Sequence, residues 1–419
     1  MIILKCAYNL LTNIIAPLIF IKKAIIKSNP PYGSRVKELA GNIPKKDYHN
    51  PIWFHTVSVG ETQGAIPLIK KFHNLYPDIS IVVTTTTTTS AELYKKLDYV
   101  THLYAPFDAS FMVKKFTERL KPRALIIMET ELWPNLLDNL SKQHVPVILM
   151  NARLSDKSAS RYRKLGRAFD ELISGKIVRF ICQTEADKSN FANLGVTGDK
   201  LTVSGSLKYD IEIPENIHKT GFFASIPDER PVLCVASTHD GEDEKVLSIF
   251  GKIKKKIPEI LMIIVPRHPE RFISVFNLAQ KAGYKTANKT DGAIEKTTEI
   301  VIGNTMGEMT LYMGVSTIVL MAGSLTDIGG HNPLEAIAVN KPVITGASIR
   351  NFKKIYQELE KADATVVATE DNLADTIIDL LLSHEKRESM NHHAQKVLLN
   401  NRGAIDRTIA AITESLDIK

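Results

Sequence analysis

Two hydrophobic patterns succeed one another along the chain. Residues 1–27, MIILKCAYNLLTNIIAPLIFIKKAIIK, are apolar for most of their length, broken by Lys5, Asn9, Thr12 and Asn13, and Lys22, Lys23, Lys27, Arg35 and Lys37 follow closely. At about 1.5 Å per residue, the twenty or so residues before Lys22 just reach across a bilayer core of about 30 Å. The alternative is a helix lying in the interface, with Lys5 and the amides at the headgroups and Leu and Ile in the acyl boundary. Basic residues after the apolar run, and no A-x-A-like site, weigh against a cleaved signal peptide and keep the bulk of the chain on the cytoplasmic side.

From residue 50 onward, short apolar runs alternate with segments of helical period, the pattern of parallel sheets covered by helices. In the first half the predicted strands are 52–57, 79–85, 124–128, 145–150 and 179–183; in the second they are 232–237, 261–266, 300–303, 317–323, 342–345 and 365–368. Between the halves, residues 209–230 have no sustained period and carry Pro214 and Pro227, so they read as a linker. The division is then a membrane-anchor helix over 1–27, a first domain over 35–208, the linker, and a second domain over 231–419. Ligands of open α/β sheets bind beyond the carboxyl ends of the strands, so functional residues are expected just after strands, facing a shared cleft. The run Thr84 to Thr89 reads as a strand end entering a helix cap.

Composition narrows the class. With 419 residues, 44% hydrophobic and 24% charged, the chain buries a sizeable core. Cys6, Cys182 and Cys234 are odd in number and far apart, which excludes a disulfide framework and a paired-cysteine zinc site. The net charge is +7, and the first 50 residues hold eight Lys/Arg against two acids. An excess confined to the apolar start points to anionic lipid rather than nucleic acid.

Candidate chemistry clusters after the strands. HTVSVGE, 55–61, puts Glu61 at a strand-to-helix junction, as a general base toward a sugar hydroxyl or as a complement to the helix dipole. Gly60 there allows a tight turn or a close substrate approach. METELWPN, 128–135, sets Glu129 and Glu131 two residues apart, on one face if the strand continues, with Pro134 stopping a strand or starting a helix. They are acids beside the cleft, or helix-start carboxylates with Trp133 in the core. GSLKYD, 205–210, offers Lys208 to an anionic group or to solvent.

The second half is denser. Arg267 and His268 lie between Pro266 and Pro269 directly after a strand, where a guanidinium fork and an imidazole suit phosphate or carboxylate. GNTMGEM, 303–309, is a two-glycine turn whose amides can approach a base or phosphate. In MAGSLTDIGGHNPLEAI, 321–337, Gly329 and Gly330 permit a tight loop and Pro333 suits the first helical position, giving an anion site at a helix start. Glu335 in that first turn reads as a partner for ribose hydroxyls or as dipole complementation. His239, Asp240, Glu242, Asp243 and Glu244 raise a metal question, but Thr238 or a nearby residue as helix cap with acids in the first turn is the simpler reading. There is no P-loop and no dinucleotide glycine fingerprint.

Taken in order, HTVSVGE, METELWPN, NARLS, GSLKYD, ASTHDGEDE, VPRHPERF, GNTMGEM and GGHNPLEA closely resemble the 3-deoxy-D-manno-octulosonic acid (Kdo) transferases of lipid A biosynthesis, over nearly the whole chain. The resemblance implies an α/β fold of GT-B type, two Rossmann-like βαβ domains facing a cleft, with an N-terminal membrane-associated helix. It implies lipid IVA as acceptor on the first domain, CMP-Kdo as donor on the second, and action at the cytoplasmic side of a bacterial inner membrane. By position, it makes Glu61 the proton acceptor and assigns transition-state stabilisation to Glu131 and Lys208. Donor binding falls to Arg267, His268, Met306, Gly307, Glu308, Asn332, Pro333, Leu334 and Glu335. No cofactor and no metal are expected, since there is no DxD pattern and fixed cations can serve the phosphate. Gln63 and Gly64 depart from the family pattern and bear on acceptor contacts. The competing readings are a nucleotide-sugar epimerase or hydrolase of the same architecture, which has no use for a lipid anchor, and a membrane-tethered nucleotide sensor, which needs no base.

Overall fold

The computed structural model describes residues 2–25, 33–211, 221–292 and 294–418. The chain forms two units, one of residues 1–210 with 402–419 and one of residues 211–401. In the first, β1 (Ile52–His55), β2 (Ile81–Thr85), β3 (Val100–Tyr104), β4 (Ala124–Met128), β5 (Val147–Ala152), β6 (Arg179–Cys182) and β7 (Leu201–Val203) form one parallel sheet in the order β3-β2-β1-β4-β5-β6-β7. The inner strands β1, β2, β4 and β5 are buried at every position, as expected when helices cover both faces. One face packs Trp53, Phe116, Leu136 and Phe180; the other packs Phe54, Phe72, Ile126 and Met150.

In the second unit, β8 (Val232–Thr238), β9 (Leu261–Pro266), β10 (Thr286–Asn288), β11 (Ile300–Ile302), β12 (Ile318–Met321), β13 (Val343–Thr345) and β14 (Thr365–Val367) again form a parallel sheet, in the order β10-β11-β9-β8-β12-β13-β14. Each unit's first strand is central, and its direction of winding reverses there. The switch points lie between β1 and β4 and between β8 and β12, the places where such sheets bind ligands.

All eleven predicted strands form. The three not foreseen, β3, β7 and β10, are edge strands, short or half-exposed, so they lack a continuous apolar run. Thr87 does cap the helix Thr88–Tyr94, its hydroxyl accepting from Ser90 N.

The domain limits need two corrections. The expected second domain over 231–419 loses its end: the helix Ala404–Leu416 belongs to the first unit, burying Ile405, Ile409 and Ile412 against Phe72 and Ile181. Asp210 fixes its start, its carboxylate accepting from Gly403 N at 2.7 Å and Ile405 N at 2.6 Å. The expected linker over 209–230 is also partly folded. Tyr209 is buried in the first unit, while Phe222, Phe223 and Ile226 are buried in the second, where the Phe223 ring meets Tyr312 edge-on at 5.4 Å. The linker positions 212–220, with Pro214, lie outside the described residues.

The helix Ile2–Ile25 turns its polar side inward. Thr12 is buried, Tyr8 and Asn13 are half-buried, and Leu10, Leu11, Ile14 and Leu18 are 54–65% exposed. No helix among the described residues is long and apolar enough to cross a membrane.

Candidate functional site

In the first unit the switch point carries acids. After β1 the chain passes through Thr56 and Val57 to Ser58, which caps the helix Val59–Leu75 by accepting from Glu61 N. The Glu61 carboxylate reaches back, accepting from Val57 N at 3.0 Å and Ser58 Oγ at 2.9 Å, a variant of the capping box. Burial pushes the Glu61 carboxyl above its ordinary value; these two hydrogen bonds oppose the shift, and the negative charges of Glu129 and Glu131 add to it. Glu61 therefore caps the start of its helix, and burial makes its carboxylate more basic. Gly60 is not needed for a turn, since it lies inside the helix with ordinary φ and open space where a Cβ would stand. What remains for it is close approach of a substrate.

Glu129 and Glu131 do not share a strand face, because β4 ends at Met128 and Glu129 sits at φ 60°, a left-handed conformation costly for a side-chain-bearing residue. The chain leaves the strand there, and both acids stay within electrostatic reach of Glu61. Trp133 donates from Nε1 to Glu131 Oε2 at 3.0 Å, and its ring lies edge-on to His55 at 4.9 Å. His55 is fully buried at the end of β1, and burial drives its imidazole down to about 4, so it is neutral. Pro134 begins the helix Pro134–Lys142. Lys208 sits in the short turn Leu207–Tyr209 after β7, which packs against the helix bearing Glu61.

In the second unit the switch point carries imidazoles and a guanidinium. His239 follows β8 and His331 follows β12; their rings stack at 5.1 Å, with Nε2 to Nε2 at 2.9 Å, one nitrogen donating to the other. The exposed His268, after β9, brings its ring within 5.5 Å of His239. Burial first, then the neighbouring His239, Arg267 and His268, drives His331 down to about 4. His239 is lowered as well, by burial first, with Glu242 opposing. Gly323 makes the stack possible: its φ is 70°, and a Cβ there would lie 2.7 Å from the His331 ring.

Several expectations in this unit change. The cap of the helix Glu242–Lys256 is the nearby Gly241 rather than Thr238 itself, with φ 80° and no side-chain bond. The acids stand in its first turn as expected, and two of them are buried. Glu242 is fully buried and accepts from His239 N at 2.9 Å, Gly323 N at 2.8 Å and Leu325 N at 2.8 Å, pinning the loops after β8 and β12 together. Asp243, also buried, pairs with Arg271. Among the described residues no group of three or more His, Cys, Asp or Glu is arranged to hold a metal ion.

The helix after GGHNP spans only Leu334–Ala338, with Pro333 at its cap position rather than inside its first turn. Its aligned dipole is short, so it has less to offer an anion than the sequence suggested. Asn332 Oδ1 accepts from Leu334 N at 3.2 Å. Burial raises the Glu335 carboxyl and the Arg267 charge pulls it back, so the two are in electrostatic reach. In GNTMGEM, burial acts to raise Glu308, but Lys289, 2.8 Å away, and Thr305 outweigh it and leave the carboxyl below its usual value. Met306 stands 59% exposed beside Gly307, which has φ 82°.

The structure thus groups Glu61 with Glu131 in one unit and Arg267, His268 and Glu335 in the other. His239, Glu242 and His331 were not assigned to this site from the sequence. Each stands by a strand end, but only the strand order makes β8 and β12 neighbours across 92 positions.

Residues 34–211 match the family model described as 3-Deoxy-D-manno-octulosonic-acid transferase (kdotransferase), and residues 242–397 match Glycosyl transferases group 1. The chain is 36% identical over 421 residues to the 3-deoxy-D-manno-octulosonic acid transferase of Haemophilus influenzae, covering 98% of each, and 32% identical over 379 residues to that of Bordetella pertussis, covering 87% of each. Among solved structures it is similar to a UDP-GlcNAc 2-epimerase from Neisseria meningitidis bound to UDP-GlcNAc, with a TM-score of 0.57, 16% identity and 88% of this chain against 100% of that one. A glycosyltransferase from Rickettsia africae gives a TM-score of 0.55 at 13% identity, over 88% and 100%. At such identities these two likenesses show the fold alone, an α/β architecture of GT-B type.

Proposed function

The chain belongs to the 3-deoxy-D-manno-octulosonic acid (Kdo) transferase family and is a glycosyltransferase; from that premise we propose that it moves Kdo from CMP-Kdo to lipid IVA, with inversion, at the cytoplasmic face of a bacterial inner membrane. Full-length identity to named Kdo transferases, with an acid made more basic after β1, is the observation that carries this reading.

In the proposed reaction a primary hydroxyl of lipid IVA attacks the anomeric carbon of Kdo. The bond from that carbon to the CMP phosphate oxygen breaks, and the hydroxyl proton passes to Glu61. Positive charge develops on the sugar, where Glu131 is suited to stabilise it; negative charge grows on the phosphate, where Arg267 and His268 are suited to receive it. Lys208 serves an anionic group, the Kdo carboxylate or a lipid phosphate. Met306, Gly307, Glu308 and Asn332 to Glu335 complete the donor site. Because Arg267 supplies positive charge and His268 a hydrogen-bonding imidazole, we propose that the chemical step needs no metal, and transfer should survive exhaustive chelation.

The helix Ile2–Ile25, with Leu10, Leu11, Ile14 and Leu18 turned outward, is proposed to lie in the bilayer surface. Phe111, 51% exposed, follows Ser110, whose hydroxyl bonds Asn13, and the exposed Lys114 and Lys115 add charge for anionic headgroups. The test is transfer from enzymatically generated CMP-Kdo to lipid IVA, read by product mass. Increments of Kdo with the native protein, lost in Glu61→Gln, support the reading. A folded protein that binds CMP and yields no product would overturn it.

A further inference from the structure

The helix Pro134–Lys142 begins three residues after Glu131, and its own cap residue, Trp133, makes no side-chain capping bond. Its first amides are capped from elsewhere. Asp108, buried in the segment before the helix Ser110–Leu120, accepts from Asn135 N at 3.1 Å through Oδ2 and from Leu136 N at 2.8 Å through Oδ1. Burial lifts this carboxyl to about 6, so it is ionised at neutral pH.

The same carboxylate is bound by the N-terminal helix: Tyr8 donates its hydroxyl to Asp108 Oδ2 at 2.8 Å. A second bond runs parallel, Asn135 Nδ2 donating to Thr12 Oγ1 at 3.1 Å and to the Asp108 carbonyl at 2.7 Å. A third ties Asn13 to Ser110 Oγ at 3.2 Å. Tyr8, Thr12 and Asn13 of the helix are thus spent on one cluster, and that cluster holds the helix start that directly follows the loop carrying Glu131 and Trp133. Buried polar networks of this kind fix a unique geometry, because breaking one member leaves the others unpaired.

We infer that Tyr8, Thr12, Asp108 and Asn135 form a latch through which seating of the N-terminal helix on an anionic bilayer positions the Glu131 loop for transfer. This rests on the membrane and transfer readings above, and adds that Asp108 is a positioning residue acting through the helix start. The outward Leu face meets lipid, the inward polar face holds Asp108, and Asp108 holds the first turn after Trp133. A helix that docks without the latch would tether the enzyme without setting its site.

The protein's two tryptophans provide the readout. Trp53 is fully buried and donates to Thr84 Oγ1 at 2.7 Å, whereas Trp133 is half-buried in the loop itself. The experiment titrates the full chain with vesicles of phosphatidylglycerol and phosphatidylethanolamine, following co-sedimentation, tryptophan emission and, with lipid IVA in the vesicles, kcat and KM. Trp133→Phe assigns the emission change. In Asp108→Asn, vesicle binding should persist, the emission change should vanish, and kcat should fall about ten- to a hundred-fold with little change in the donor KM. Tyr8→Phe, which keeps the cap and guards against misfolding, should do the same more weakly. Native protein that binds vesicles with no change at Trp133, or a Tyr8→Phe variant with full emission response and full kcat, overturns the latch. Absence of vesicle binding by native protein overturns the membrane reading and the latch with it, while lipid IVA transfer in detergent tests the transfer reading separately.

Discussion

The two units share a sheet design and differ in the residues placed after their strands. In both, the first strand is central and the winding reverses beside it, at β1 and β4 in one and at β8 and β12 in the other. At the first switch point stand Glu61, Glu129 and Glu131; at the second stand Arg267, His239, His268 and His331. In the proposed reaction the first is where the proton is removed and the developing cation stabilised. The second is where the phosphate leaves. The fold fixes where a ligand binds, and a few residues after each strand decide what chemistry meets it.

Four changes would break or sharpen this contrast. The largest effect is expected from Glu61→Gln, which keeps partners for Val57 N and Ser58 Oγ but removes the base: transfer should fall by about 10²–10⁴-fold while CMP binding, followed by calorimetry, holds. Next is Arg267→Ala, which removes charge-assisted hydrogen bonds worth about 1.5–3 kcal/mol and should raise the donor KM roughly ten- to a hundred-fold with the acceptor KM unmoved. Gly323→Ala forces a side chain into the His331 ring at a left-handed position, and chemical denaturation should show a loss of about 1–3 kcal/mol together with weaker CMP binding.

The smallest effect is the most diagnostic. Burial, and then Glu129 and Glu131, hold the Glu61 carboxyl up, so activity should be lost on acidification at a pH above the usual glutamate range. Removing a neighbouring negative charge in Glu131→Gln favours the ionised base, so the acid limb of the pH profile should move to lower pH even as the maximum rate declines. A limb that stays in place would show that the two acids do not communicate. Stability should respond in the second unit instead. His331 is held down to about 4, so the unfolded chain takes up its proton first, and stability is lost as pH falls from about 6.5 toward 4.

Much of the fold was legible because buried parallel strands are short, continuous apolar runs, and these are easily seen in ALIIM or LMIIVP. The edge strand Val100–Tyr104 was not, because its half-exposed positions carry Thr and His among Val and Leu. Glu61 and Arg267 could be singled out as candidates because each lies shortly after the end of an inner strand, β1 and β9. The His239 and His331 pair could not, because no local spacing relates residues joined only by strand order. Glu242 stands in the first helical turn as expected, but an acid there looks like a dipole complement, and only the strand order brings the distant Gly323 and Leu325 amides, with the nearby His239 amide, onto its carboxylate.

The return of the helix Ala404–Leu416 to the first unit bears on how the protein is made. Ile405, Ile409 and Ile412 complete a core begun by β1, β2 and β4, yet they leave the ribosome only after the whole intervening unit. At about 5–20 residues per second, the intervening unit takes roughly 10–40 s to synthesise. For that time the nascent first unit carries an open apolar seam, and premature termination near residue 401 would leave it permanently uncovered, a product for chaperones and proteases rather than a smaller enzyme.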